Sequence, residues 1–309
     1  MSSVIVLGAK GRFGRAAAQA FANAGWNVVR AGRGLSGAGT VEVDATDAAA
    51  LSLVCMGHDV IVNAVHPPYT EWEGTVPRVT DAVITAARKS GATVMLPGNI
   101  YNYGNLLPNR LTERTPWVGN YRKAKIRIRM EDTYRDSGVR TIVLRAGDFI
   151  EASKSGNWFD TYIAHKAAKG QVTYPGPRDQ VHAWAYLPDM ARAMVGLAEQ
   201  RASFEAYEEF GFGGYALTGE EMVALIEKAV ERPMRVQAFP WWFLKVAQLW
   251  SPLMREVLEV RYLWERPHFV DDAKLRAQLP QFQPTPASTA IAEVLAQHTE
   301  VDVSAPVTA

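Results

Sequence analysis

Apolar and polar positions alternate in blocks along the first half of the chain. Val4-Ile5-Val6-Leu7 is a short, continuous apolar and β-branched run, the pattern of a strand covered on both faces. Arg15 to Ala24 is alanine-rich and predicts a helix ended by Gly25. Trp26 to Ala31 and Thr40 to Val43 predict the next strands, and Ala48 to Met56 a helix with Asp47 as N-cap. Asp59 to Val65 is again continuous and apolar. Val76 to Ser90 predicts a helix, Thr93 to Leu96 a fifth strand, and Arg140 to Leu144 a sixth. Strands alternating with helices in this way predict an α/β fold: a doubly wound parallel sheet of the dinucleotide-binding type.

Past residue 150 the pattern loosens. Asn157 to Lys169 predicts a helix, Gln171 to Tyr174 a strand, and Tyr207 to Phe212 another. Asp189 follows Pro188 as an expected helix cap, and Thr218 with Glu221 spells a capping box. Phe239 to Glu265 reads as largely helical with a break near Pro252. The expected division is a core over 1–150, a smaller, interleaved substrate-binding lid over 151–298 with about 180–200 returning to the core, and a frayed tail over 299–309.

The chemistry begins at the first turn. Gly8-Ala9-Lys10-Gly11-Arg12-Phe13-Gly14 places three glycines between a strand and a helix. Unpaired N–H groups at a helix N-terminus suit a pyrophosphate. Gly8 serves the tight turn, Gly11 close approach of the backbone to phosphate, and Gly14 helix-to-strand packing. Where an acidic residue would read the ribose of NAD, the chain carries Arg30 and Arg33, and Arg12 stands in the glycine loop. NADP(H) is therefore the preferred cofactor and NAD(H) the lesser expectation. Asp44 and Ala45 end the third strand, where Asp44 faces an adenine. Asn63-Ala64-Val65 ends the fourth, with small residues beside the cofactor ribose, and His66 and Tyr69 fall in a loop over the pocket.

Tyr121 and Lys125 stand four residues apart at the opening of a charged helix. On one helix face, an ammonium lowers a phenol's pKa from about 10 toward neutrality and prepares it for proton exchange.

Taken in order, Gly8-x-x-Gly11-x-x-Gly14, the Asp44 strand end, Asn63-Ala64-Val65, Tyr103-Gly104, Tyr121-x-x-x-Lys125 and Leu144-Arg145-Ala146-Gly147-Asp148 resemble the short-chain dehydrogenase/reductase superfamily. The likeness is to its extended form, the NAD-dependent epimerase/dehydratase relatives. Trp184 to Ala193, Phe269 to Leu275 and Pro284-Thr285 extend the resemblance over most of residues 3–298. It implies Tyr121 as acid/base, Lys125 as its pKa modifier and ribose ligand, and backbone groups near Ala146 around the nicotinamide amide. The family's Ser or Thr after the fifth strand is here Asn99, which can polarise a carbonyl through its amide but cannot relay a proton. Tyr101, Asp148, His182 and Trp184 are expected on the substrate side. Exposed helix faces over Val76–Ser90 and Tyr121–Tyr134 imply a possible homodimer.

Composition narrows the partners. The 309 residues carry 33 Lys and Arg against 32 Asp and Glu, so bulk charge points to neither nucleic acid nor a membrane surface. The chain has one cysteine, Cys55, and no metal-ligand pattern, so no metal is expected. With no leader pattern at Met1, a cytoplasmic setting is expected. The expected function is hydride transfer at a carbonyl or alcohol of a small molecule. A nucleotide-sugar epimerase or dehydratase and a non-catalytic NADP-binding sensor are the alternatives. The aromatic second half, with few clustered arginines beyond Arg255, Arg261 and Arg266, speaks against a diphosphate substrate.

Overall fold

The computed structural model describes residues 1–151 and 156–300. Most of the expected 299–309 tail lies outside the described residues.

The core elements in chain order are β1 (Ser3–Leu7), α1 (Arg12–Asn23), β2 (Asn27–Gly32), β3 (Thr40–Glu42), α2 (Ala48–Cys55), β4 (Val60–Asn63), α3 (Trp72–Ser90), β5 (Thr93–Gly98), α4 (Arg122–Asp136), β6 (Thr141–Arg145), α5 (Leu187–Glu199) and β7 (Tyr207–Gly211). Seven strands form one sheet in the order β7-β6-β5-β4-β1-β2-β3, and every pairing in it is parallel. Val4, Ile5 and Val6 are fully buried, as a strand covered on both faces requires. On one face α1 and α5 pack through Phe13, Ala17, Phe21, Met190, Met194 and Leu197. On the other, α2, α3 and α4 pack through Leu51, Val79, Val83, Met130 and Tyr134.

The first six expected strands match within two residues at each end. α3 starts earlier than the pattern suggested, at Trp72, and carries Pro77 inside it. Asp47 caps α2 by accepting from the N–H groups of Ala49 and Ala50. The Thr218–Glu221 capping box forms as read.

The second half is built of small units. Asp148–Ile150, Val181–Tyr186 and Tyr215–Thr218 make a three-stranded sheet, and Arg235–Ala238 pairs with Gln171–Tyr174. Two expectations fail here. The helix expected over 157–169 is a widened π turn at Phe159–Ile163 followed by a single 3-10 turn at Ala167–Lys169. Burial of Phe159, Ile163 and Ala167 in one apolar cluster overrides the helical propensity. Asp189 does not cap α5, whose N-cap is Tyr186. It lies buried in the first turn and accepts from the N–H and Oγ1 of Thr285, at 2.6 and 2.8 Å. The late chain is thereby strapped to the core helix.

Candidate active site

The glycine turn is sterically closed to side chains. Gly8 has φ +70°, and a Cβ there would lie 2.7 Å from the Ala64 carbonyl oxygen. A Cβ on Gly14 would lie 2.3 Å from the Gly8 carbonyl, so α1 sits directly on the turn. The N–H of Gly11 donates to Gly8 O at 2.8 Å. Gly11 is the N-cap of α1 and brings no capping side chain, which leaves the first N–H groups of the helix for an anion. This cradle fits a dinucleotide pyrophosphate. Phe13 is 5% exposed and packs into the core, so only its backbone faces the turn. Arg12 is drawn to Glu151 at 3.7 Å, and Arg15 reaches the same carboxylate at 3.5 Å. The Arg12 charge is thus already partly offset.

Past the end of β3, Asp44 Oδ1 accepts from both the N–H and Oγ1 of Thr46 at 2.9 Å. Those bonds, aided by Arg33 and Arg78, hold its carboxyl below the usual range, so Asp44 is an acceptor at neutral pH. Ala45 follows at the strand end, half-buried. Arg33 is exposed beside Asp44. A second cation joins it that sequence reading passed over: Lys10 Nζ donates to the Gly34 carbonyl. The glycine loop and the loop after β2 therefore meet with two positive charges.

At the other end, Asn63 Nδ2 donates to the Tyr134 hydroxyl at 3.1 Å and its Oδ1 accepts from the Val65 N–H at 3.2 Å. Asn63 thus fixes the end of β4 against α4, and its carboxamide is committed to that role. Asn99 Oδ1 accepts from the Tyr101 N–H at 3.1 Å in a short turn, leaving the NH2 end of the amide as its donor. Ala146 is buried, and its N–H donates to Gly98 O at 3.1 Å.

The side chains that converge past β4 and β5 are not those of the expected pair. The hydroxyls of Tyr69 and Tyr101 meet at 3.0 Å. Lys123, 1% exposed, places its ammonium 5.0 Å from the centre of the Tyr69 ring. Its amine donates to Glu256 O at 2.8 Å and pairs with Glu259 at 3.3 Å. Arg127 donates to Pro97 O at 3.0 Å from the same face of α4. Burial raises the Tyr69 and Tyr101 pKa values, Tyr101 well above its ordinary value, and the nearby Asp148 carboxylate adds to both shifts. Both phenols are protonated at neutral pH. His66 lies edge-on to Tyr69 and Trp72 at 5.5 and 5.3 Å and lines a small cavity with Asn63, Val65 and Arg127.

Tyr121 and Lys125 are not brought together. Tyr121 is the N-cap of α4 with extended backbone (φ −75°, ψ 160°), so the rule that residues four apart share a helix face does not apply to it. Its ring stacks on Tyr262 at 5.4 Å, on the pocket side. Lys125 is exposed and lines a groove of about 430 Å³ between the outer faces of α3 and α4, with Glu73, Asp81 and Arg129. The inner positions are Lys123, Arg127 and Glu131. Their spacing of four, next to the buried Ala124, Met130 and Tyr134, was the available signal.

On the far wall, His182 Nε2 bonds Asp148 Oδ2 at 2.8 Å, and its ring stacks on Trp264 at 4.1 Å. Asp148 keeps a quarter of its side chain exposed. Trp184 is fully buried with its Nε1 unpartnered and belongs to the packing behind this wall rather than to its surface. Among the described residues, no group of three or more His, Cys, Asp or Glu is placed to hold a metal, and no helix is long and apolar enough to cross a membrane.

A glycine-turn cradle at the first strand of a doubly wound parallel sheet is the frame of an enzyme of the short-chain dehydrogenase/reductase type. A model of the NAD dependent epimerase/dehydratase family matches residues 4–213, and the chain belongs to that family. A putative epimerase from Burkholderia cenocepacia superposes with a TM-score of 0.78 at 17% identity, covering 96% of this chain and 98% of its own. A UDP-glucose 4-epimerase from Bifidobacterium longum, solved with NAD+ and UDP, gives 0.73 at 16% identity, with 97% and 98% covered. The UDP-Glc/GlcNAc 4-epimerase of Campylobacter jejuni gives 0.71 at 13%, with 97% and 100% covered. No curated protein matches the sequence.

Proposed function

We propose that the protein is an NADP(H)-preferring oxidoreductase acting on a carbonyl or alcohol of a small organic molecule. Gly8, Gly11, Gly14 and the N–H groups opening α1 hold the pyrophosphate. Asp44 and Ala45 border the adenine, and Val65, Ala64 and Ala146 flank the ribose and nicotinamide. The bound dinucleotide supplies the hydride acceptor or donor. The paired Tyr69 and Tyr101 hydroxyls, 3.0 Å apart at the ends of β4 and β5, carry this reading. A protonated phenol donates to an oxygen that gains negative charge. Tyr101 is accordingly the proton donor in carbonyl reduction, Tyr69 orients it, and the Asn99 amide steadies the substrate oxygen.

Tyr121, stacked at the pocket edge, is the competing donor, and the two are separable. NADPH oxidation with a carbonyl panel, read at the nicotinamide absorbance, is expected to fall about 10²- to 10⁴-fold in Tyr101→Phe. A matching loss in Tyr121→Phe, with Tyr101→Phe unaffected, returns the role to Tyr121. For the cofactor, nicotinamide fluorescence titration is expected to show tighter NADPH than NADH binding, with the preference lost in Arg33→Ala and Lys10→Ala. Equal affinities in the parent protein refute the arginine argument.

The nucleotide-sugar reading draws on the neighbours solved with such ligands. The Asp148 carboxylate in the wall and the Trp264 ring behind His182 favour a smaller substrate without a diphosphate. The outer groove between α3 and α4 is the proposed seat of a second copy. Light scattering on the eluting protein, with Arg129→Glu alongside, tests it.

A further inference from the structure

Past the pocket, residues 239–259 fold into a hairpin of two short helices, Trp241–Ala247 and Pro252–Glu259. Its inner side is anchored. Leu244 is buried, Trp241 Nε1 donates to Pro175 O at 2.7 Å, and Glu256 and Glu259 hold Lys123. The outer side is apolar and in water. Trp242, Phe243, Val246, Leu249, Trp250 and Leu253 are 49–75% exposed. A run of this kind marks an interaction surface rather than scattered exposure.

Charge selects the occupant. Within the hairpin the two acids, Glu256 and Glu259, are turned inward onto Lys123, while the two cations, Lys245 and Arg255, are exposed. Neither cation pairs with a carboxylate among the described residues. The chain as a whole is nearly neutral, so the positive charge that the hairpin shows to water comes from how its charges are sorted between inner and outer sides. Two tryptophans suit the headgroup level of a bilayer, where a ring is buried and its N–H stays wet. Helices of 7 and 8 residues reach roughly 10–12 Å at about 1.5 Å per residue, too short to span a core about 30 Å thick. They suit a shallow seat in the interface. A second copy is the poorer occupant, because a two-fold contact through this face sets the same cations against each other.

We infer that the hairpin docks the protein on an anionic lipid surface. The outer face of the hairpin is separate from Tyr69 and Tyr101, and its docking does not depend on the chemistry proposed above. It is tested by flotation of the full-length protein with vesicles of neutral phosphatidylcholine and with vesicles containing a third phosphatidylglycerol. The expected result is binding to the anionic vesicles alone, weakened by 1 M salt, where the screening length falls to ~3 Å. Lys245→Glu is expected to weaken it on the order of tenfold, and Trp242→Ser with Trp250→Ser to abolish it. Circular dichroism and a thermal melt of each variant confirm that it remains folded. Absence of vesicle binding by the parent protein overturns the inference. So does equal binding to both vesicles, which removes the role of charge. Self-association that dissolves in the tryptophan variant, without vesicle binding, assigns the face to a second copy instead.

Discussion

Two residues along α4 amount to about 200° of rotation, and that angle separates Lys125 from Lys123 and Arg127. Lys125→Ala is therefore expected to leave NADPH oxidation within about twofold of the parent, whereas Tyr101→Phe removes most of it. Comparable losses in both would return Lys125 to the pocket. Motif spacing was legible in the sequence at Gly8, Gly14 and Asp47, where backbone geometry decides the role. Helical phase at Tyr121 was not, because whether a residue caps a helix or opens it depends on the loop before it. Buried charge was also hidden: Lys123 and Arg127 look like a solvated face until Tyr69, Glu256 and Glu259 are seen around the first and the Pro97 carbonyl and Glu131 beside the second. His268 offers a test of a different kind. Burial, then the neighbouring His182 at 4.7 Å between ring centres, pushes its pKa down to about 3. The unfolded chain binds this proton near pH 6.5 and the native state does not. The stabilisation is complete above that pH and declines as pH falls toward 3. The loss from this one group is about 2 kcal/mol at pH 5. Urea unfolding at pH 7 and pH 5 is expected to show a smaller pH dependence in His268→Gln; an unchanged slope excludes His268 as its source.

Between elements, a buried ionic knot joins α4 to the sheet edge. Arg145, 1% exposed, pairs with Glu131 of α4 at 2.5 Å and with Glu209 of β7 at 2.6 Å. Its guanidinium also lies 5.6 Å from the Tyr103 ring centre and 5.4 Å from that of Trp117. Removing the cation strands two carboxylates in a dry environment. Arg145→Met is expected to cost about 3–5 kcal/mol in urea unfolding, and a loss below about 1 kcal/mol would show that water enters the site. The strands and helices of the first half were legible because each has its own period and its own punctuation. The 157–169 segment was not. Its apolar residues Phe159, Ile163 and Ala167 fit a helix by spacing, and only the wall they face shows that a widened turn presents them better.

At the scale of the molecule, the core is assembled from distant parts of the chain. α5 lies on α1, β7 closes the sheet beside β6, and Thr285 is fastened to Asp189. A fragment ending at residue 150 lacks α5 and β7, leaving the α1 face and the β6 edge in water. It is expected to aggregate on expression, and a soluble fragment with a cooperative melt would show that the first half is self-sufficient. The parallel sheet could be read from sequence, and β7 was anticipated as a strand. Its place in the central sheet was not, since nothing in a short strand's composition names its neighbour.

That distant closure has a temporal side. β6 leaves the ribosome well before β7, and at 5–20 residues per second the interval is roughly 3–13 s. Throughout it, the nascent sheet carries an unpaired β6 edge and an uncovered apolar face beneath α1. The dependence of a central strand on so late a partner makes the growing chain a client for transient shielding during synthesis, a demand that the finished, sealed molecule no longer shows.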